Sequence, residues 1–289
     1  SRGLVGSEMC IRDRYRCYNW YVKSLSILCQ KGGVGKTTIV VNIAKIYSNN
    51  GIKTLIVDLD PQGNTSTYLD FDKQKKSILT SQDLMEGKLE KEIAFLGDNL
   101  ALIPSNESIL KFNNEKIIGG SVLAKALQSF VFKDFDIVIF DTPPTMSSLV
   151  QEALCASDFY LIPTKPEFLA IEGVSQAMSF AKETISKQIK VNPVFLGVVL
   201  NQIESGRSSY LDFEKELEYL LADKLLNTKV SSSADVADSP YYLKTVEDFT
   251  NDNKSKKEFY QLANELLERM NINEKIIEQS YNWYKCKRI

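Results

Sequence analysis

Gln30–Thr37 reads QKGGVGKT and stands between a short apolar run, Ser24–Cys29, and a helical pattern over Thr37–Ser48. That order leaves few options for the fold. A strand must end, and glycines must let successive backbone N–H groups turn into one concavity. A helix must then open with its positively polarised end aimed at the same point. Such a cradle binds phosphate. Lys36 is expected to contact the β- and γ-phosphates, and the Thr37 hydroxyl to ligand Mg2+. Gly32, Gly33, Val34, Gly35, Lys36, Thr37 and Thr38 form the expected nucleotide-binding set. A glycine-rich turn without a ligand is the bland reading; the coincidence of strand, turn and Lys-Thr argues against it.

The remaining chain repeats the same alternation. Apolar runs at Thr54–Leu59, Ala101–Pro104, Asp136–Phe140, Phe159–Pro163 and Val194–Leu200 read as buried strands. Helical patterns fall at Val122–Phe130, Ser148–Ala156, Ile171–Lys187 and Tyr210–Ala222, with a last helix at roughly Phe259–Met270 after a polar break, Asn251–Lys257. Strands apolar throughout and interleaved with helices imply a parallel sheet covered on both faces. The expected fold is α/β, a doubly wound, mostly parallel sheet of the P-loop NTPase kind. Residues 23–272 form its domain. Residues 1–22 are read as a non-native or disordered extension, and 273–289 as a C-terminal helix or tail.

Composition narrows the chemistry. The chain has no histidine, which removes His-based general bases and most zinc sites. Its five cysteines are scattered, without a C-x-x-C pair, and read as reduced thiols of a cytoplasmic protein. With 35 Lys+Arg against 37 Asp+Glu, the net charge of −2 gives no global basic field. Nucleic-acid binding would need a local patch.

Two acidic motifs complete the pattern. Asp58–Asn64 (DLDPQGN) ends the second strand, and Phe135–Pro144 (FDIVIFDTPP) carries Asp141 at the end of an apolar strand. Carboxylates at the C-terminal edge of a parallel sheet lie where ligands bind. Asp141 fits a magnesium-holding role; Asp58 is expected to support the metal shell. Turn or capping aspartates are the competing reading for both.

The loop departs from the strict phosphate-loop pattern, with Gln30 in place of the first glycine and an added Lys31 inside the loop. KGGVGKTT resembles the deviant Walker A motif of the ParA, MinD and nitrogenase iron protein superfamily. Gln30 and DxDPQGN are similar to the ParA partition-protein form, and the resemblance runs from about Lys23 to Met270. It implies a slow, switch-like Mg-ATPase. Lys31 would act across a homodimer on the partner's ATP, Asp60 would position the attacking water, and Asn201 would contact adenine. The family also implies nonspecific DNA binding, with Arg207, Lys244, Lys254, Lys256 and Lys257 as candidate contacts, and hydrolysis stimulated by a ParB-like centromere-binding partner. A nucleoid-associated cytoplasmic protein is expected, of the short form without an N-terminal helix-turn-helix domain. In Thr228–Tyr241, Ser231 and Ser232 replace the family's Pro-Arg and Asp238 its Glu, so base and DNA contacts there do not carry over.

The rivals are a MinD-like membrane ATPase, a cargo-positioning relative and a metabolic ligase of the same superfamily. Gln30 and DPQGN argue against the first. The aromatic and basic tail Tyr281–Ile289 lacks the apolar periodicity of a membrane helix, so no membrane partner is expected. Thr164–Glu167 (TKPE) has Glu where a guanine-reading motif needs Asp, which favours ATP.

Overall fold

The structure, a computed structural model, describes residues 22–272 apart from 74, 116, 118, 119, 130, 131, 168, 189–191 and 205–207, with backbone only for 208–211. Eight strands form one sheet: β1 (Lys23–Ile27), β2 (Thr54–Asp58), β3 (Ala94–Phe95), β4 (Leu100–Ile103), β5 (Ile137–Asp141), β6 (Phe159–Thr164), β7 (Val194–Ile203) and β8 (Leu225–Ser231). Their order is β3-β4-β2-β5-β1-β6-β7-β8, and only the β3–β4 pairing is antiparallel. The helices are α1 (Lys36–Asn49), α2 (Asn64–Tyr68), α3 (Ser81–Met85), α4 (Val122–Leu127), α5 (Ser148–Cys155), α6 (Ala170–Ser186), α7 (Ser208–Leu221), α8 (Ala234–Asp238) and α9 (Lys254–Arg269). The doubly wound parallel architecture expected from the alternation is present.

Every residue of β2, β5 and β6 is buried, because successive side chains feed cores on opposite faces. Ile56, Ile137 and Ile139 pack under α1 and α9 with Ile39, Ile43, Phe259 and Leu266. Leu55, Val57, Val138 and Phe140 point the other way, toward Leu84, Leu123 and Leu149. Tyr160, Ile162, Val198 and Leu200 extend that second face under α6 and α7. The Tyr47 hydroxyl donates to the Ala263 carbonyl at 3.0 Å, tying α1 to α9 inside the first core. No helix among the described residues is long and apolar enough to cross a membrane.

The structure differs from the sequence reading in two strands, in the start of the last helix and in the short helices α2, α3 and α8, which that reading did not include. Strand β8 was not expected, because LLNTKVS mixes apolar and polar residues. It forms at the sheet edge, where Glu265 of α9 accepts from the backbone N–H groups of Asn227 and Thr228 at 2.9 and 2.7 Å. The two-residue edge strand β3 is too short to show a period. The last helix begins at Lys254, not near Phe259: the Asn253 side chain caps it by accepting from Lys256 N at 3.2 Å, so half of the polar break is helix.

Gly197 marks an irregularity in β7, where the pairing steps from Tyr160–Phe195 to Leu161–Gly197. Its φ is +138°, and a Cβ there would lie 2.2 Å from the Lys224 carbonyl oxygen, just before β8. Gly197→Ala is therefore expected to destabilise the protein by about 1–3 kcal/mol, the usual range for a strained backbone position. Its denaturation midpoint should fall; an unchanged midpoint would refute the close approach.

Candidate nucleotide site

Register sets the site. Asp58 on β2 and Ile27 on β1 both pair with Asp141 on β5, so all three stand in one row at the carboxyl edge of the sheet. The glycine loop leaves β1 directly beyond this row and enters α1 at Lys36. Gly33 and Gly35 take left-handed backbone angles, φ +75° and +87°, which permit the turn. Residues 30–33 are exposed, whereas Val34 and Lys36 are buried, so the loop has an open leading half and a closed trailing half.

Around Asp141 the contacts are dense. Thr37 and Thr65 each donate a hydroxyl hydrogen bond to its Oδ2 at 2.7 Å. Thr65 sits in the first turn of α2 and was not singled out in the sequence, since a hydroxyl two residues after Gly63 carries no pattern of its own. The backbone N–H of Asp60 donates to Asp58 Oδ1 at 3.0 Å, and Gln62 N donates to Asp60 Oδ1 at 2.9 Å. Asp58 Oδ2 and Asp141 Oδ1 are buried and have no hydrogen-bond partner.

Burial pushes the Asp141 carboxyl up to about 6, against the Thr65 and Thr37 hydrogen bonds and the Lys36 charge that pull it down. Burial also raises Asp58 well above the usual carboxylate range, and Asp141 beside it adds to the shift. Lys36 is lowered by its own burial, while Cys29, Asp141 and Asp60 pull it back. Its Nζ reaches the Lys31 carbonyl at 3.4 Å. A buried ammonium thus faces two buried carboxylates with orphaned oxygens. These donors fit a Mg2+-nucleotide, which takes oxygen ligands and brings phosphate oxygens of its own.

Asn201, near the end of β7, is buried against the loop. Its Nδ2 donates to the Val34 carbonyl at 2.8 Å, and Gln202 Nε2 donates to the Gly33 carbonyl at 2.9 Å. A Cβ on Gly35 would meet Asn201 Nδ2 at 2.2 Å. Lys31 lies on the open half of the loop and forms an ion pair with Glu167, whose other oxygen takes Lys165 at 3.0 Å. TKPE therefore supplies a partner for Lys31, a role sequence reading did not foresee.

The candidate DNA residues fall into different environments. Lys244, Lys254 and Lys257 are exposed. Lys256 is a correction: it is buried, and its Nζ donates to the carbonyls of Glu247 and Phe249 at 3.1 and 3.3 Å. Position 256 falls on the core side of α9, so its ammonium holds the preceding turn. Arg207 and the two terminal extensions, 1–21 and 273–289, lie outside the described residues.

Strand, glycine loop and Lys36-Thr37 helix start, set opposite Asp141, define a P-loop nucleotide-binding protein. Comparison with known proteins narrows the class. The AAA domain family model matches residues 22–193. The chain is 30% identical over 270 residues to the virulence plasmid ParA family protein pGP5-D of Chlamydia psittaci, covering 90% of this chain and all of that protein. It is 28% identical to the sporulation initiation inhibitor protein Soj of Bacillus subtilis, covering 78% of this chain and 90% of that one. Its fold matches a plasmid partition protein of Borrelia burgdorferi solved with AMPPNP, at a TM-score of 0.71 and 22% identity, over 86% of this chain and 99% of that one. The chain belongs to the ParA family of partition ATPases.

A raised carboxyl pKa has a stability consequence. Asp141 favours the folded state while protonated, and that contribution is lost as pH rises from its unfolded value near 4 through about 6. Asp141→Asn keeps an acceptor for the two threonines without the charge. The nucleotide-free variant should be more stable than wild type at pH 7.5, by on the order of 2 kcal/mol. The gain should vanish below about pH 4, where the unfolded carboxyl is also protonated. Thermal unfolding at the two pH values is the check.

Proposed function

We propose that the protein is an ATP-switched homodimer that binds DNA nonspecifically and serves in partition of a plasmid or chromosome. The observation that carries this reading is the division of labour between two lysines in one loop. Lys36 is buried at the carboxylates and is the charge partner for a nucleotide held in its own subunit. Lys31 stands 45% exposed at the open lip of the loop, five positions earlier. An ammonium there serves a phosphate brought from outside the subunit, as in a two-fold sandwich with ATP on both sides. Thr37, Asp58 and Asp141 would hold Mg2+, directly or through water. When bound, the metal neutralises charge on the β- and γ-phosphates. Asn201, braced on Val34, would border the adenine side.

Asp60 is the residue proposed to position the attacking water. It is buried at the rim of the site, and its carboxylate is oriented by Gln62 N. Arg269, the one arginine among the described residues, is committed to Glu265 and to the carbonyls of Leu196, Asp223 and Leu225, at the opposite edge of the sheet. Among the described residues no arginine reaches the site; a site without its own arginine hydrolyses slowly and leaves room for stimulation by a ParB-like partner. DNA would be held by a composite face to which Lys244, Lys254 and Lys257 are the exposed candidates. Such a protein would work on the nucleoid.

Lys31→Ala should bind Mg-ATP yet remain monomeric in light scattering, and it should lose ATP-dependent retention of DNA. In the wild type that retention should fall steeply with salt, because phosphate contacts release counterions. A dimer that persists with ATP in Lys31→Ala would remove the trans lysine from the mechanism. Asp60→Ala should dimerise with ATP and turn over at least tenfold more slowly, about 1.4 kcal/mol of barrier. Wild-type turnover in that variant would remove Asp60 from the water's path.

A further inference from the structure

We propose that Glu167 is a positioning residue for Lys31: it holds the ammonium inside its own subunit and sets the nucleotide level at which two subunits join. The proposal rests on the sandwich reading above and deepens it. Glu167 lies 136 residues from Lys31 in sequence, yet the two side chains are ion-paired across the mouth of the loop. The carboxylate sits in a turn at the connection from β6 to α6. There Glu167 N donates to the Lys165 carbonyl at 2.8 Å, and Ala170 N donates to the Glu167 carbonyl at 2.9 Å. Its backbone is therefore anchored on both sides. Lys31 has more freedom: a Cβ at Gly32 or Gly33 would meet nothing within 4 Å, so the lip of the loop faces open space. The Lys31 hydrogen bond is the largest influence drawing the Glu167 carboxyl below its usual range, with Lys165 second.

A phosphate of the partner's nucleotide competes with Glu167 for the same ammonium, whose single charge is then divided between them. Formation of the sandwich therefore weakens the pair within each subunit, and that loss is subtracted from dimer stability twice. The pair is solvent-exposed, with Lys31 at 45% and Glu167 at 35%, so its contribution is small. The effect on the Mg-ATP midpoint for dimerisation is therefore expected to be about two- to fivefold. Lys165 shares the carboxylate through the other oxygen. Its removal leaves Glu167 wholly to Lys31 and should move the midpoint the other way.

The test uses the full chain and Mg-ATP, with dimer fraction read by analytical ultracentrifugation. Glu167→Gln is expected to lower the Mg-ATP midpoint two- to fivefold, and Lys165→Gln to raise it. ADP affinity of the monomer should stay unchanged in both. A purely structural role for Glu167 would weaken the dimer, so the sign of the change separates the two accounts. An unchanged or raised midpoint in Glu167→Gln, with a wild type that dimerises, overturns the latch and leaves the sandwich standing. If the wild type stays monomeric while Glu167→Gln dimerises, the latch is supported in a tighter form. If both stay monomeric, the sandwich and the latch fall together.

Discussion

Asp58 and Asp141 are buried at the same register on adjacent strands, each with one oxygen that nothing satisfies. Burying two like charges side by side is costly, and protonation or a cation must relieve it. The elements nearby answer to that problem. The closed half of the loop brings Lys36 to the carboxylates, α1 begins with the Thr37 hydroxyl on Asp141, and α2 begins with Thr65 on the same oxygen. The fold gives up part of its stability to hold an unfilled demand for positive charge. A ligand that brings a divalent cation is bound more tightly for it.

The rest of the sheet works as support for that row of residues. Apolar packing on both faces fixes the heights of β1, β2 and β5 relative to one another. A slip of one residue in β5 would turn Asp141 into a core and aim Phe140 at the site. From the other side, Asn201 and Gln202 of β7 hold two carbonyls of the loop, so the concavity is braced by a strand not adjacent to β1. Gly35 is required both for its backbone angle and for the space Asn201 occupies.

Much of this was legible in the chain. The glycine loop, the strands around Asp58 and Asp141 and the helix after Thr37 were readable because each combines a local chemical need with an apolar run. Three kinds of information were not. Thr65 and Glu167 act through partners 76 and 136 residues away, and their own surroundings in sequence are ordinary. Strand β8 draws its stability from β7 and from Glu265, not from a period of its own. Lys256 looked like its neighbours Lys254 and Lys257, and only the phase of α9, set by its Asn253 cap, separates the buried lysine from the two in water.

Helix α2 is five residues long and bonded at both ends. Its first turn holds Asp141 through Thr65; its last residue, Tyr68, shares its hydroxyl with Ser239 and accepts from Asn42 Nδ2 at 3.2 Å. Ser239 closes α8, and the segment after it carries Tyr241 and Tyr242, both largely exposed and packed edge to face. At 1.5 Å per residue the helix spans about 7.5 Å, too short to bend and too well tied to turn freely. It is a rigid lever with one end on the carboxylate and the other under a surface loop. Thr65 and Tyr68 thus tie the buried carboxylate and the turn at Ser239 to the same five residues, so a displacement at either end of the helix would be carried to the other.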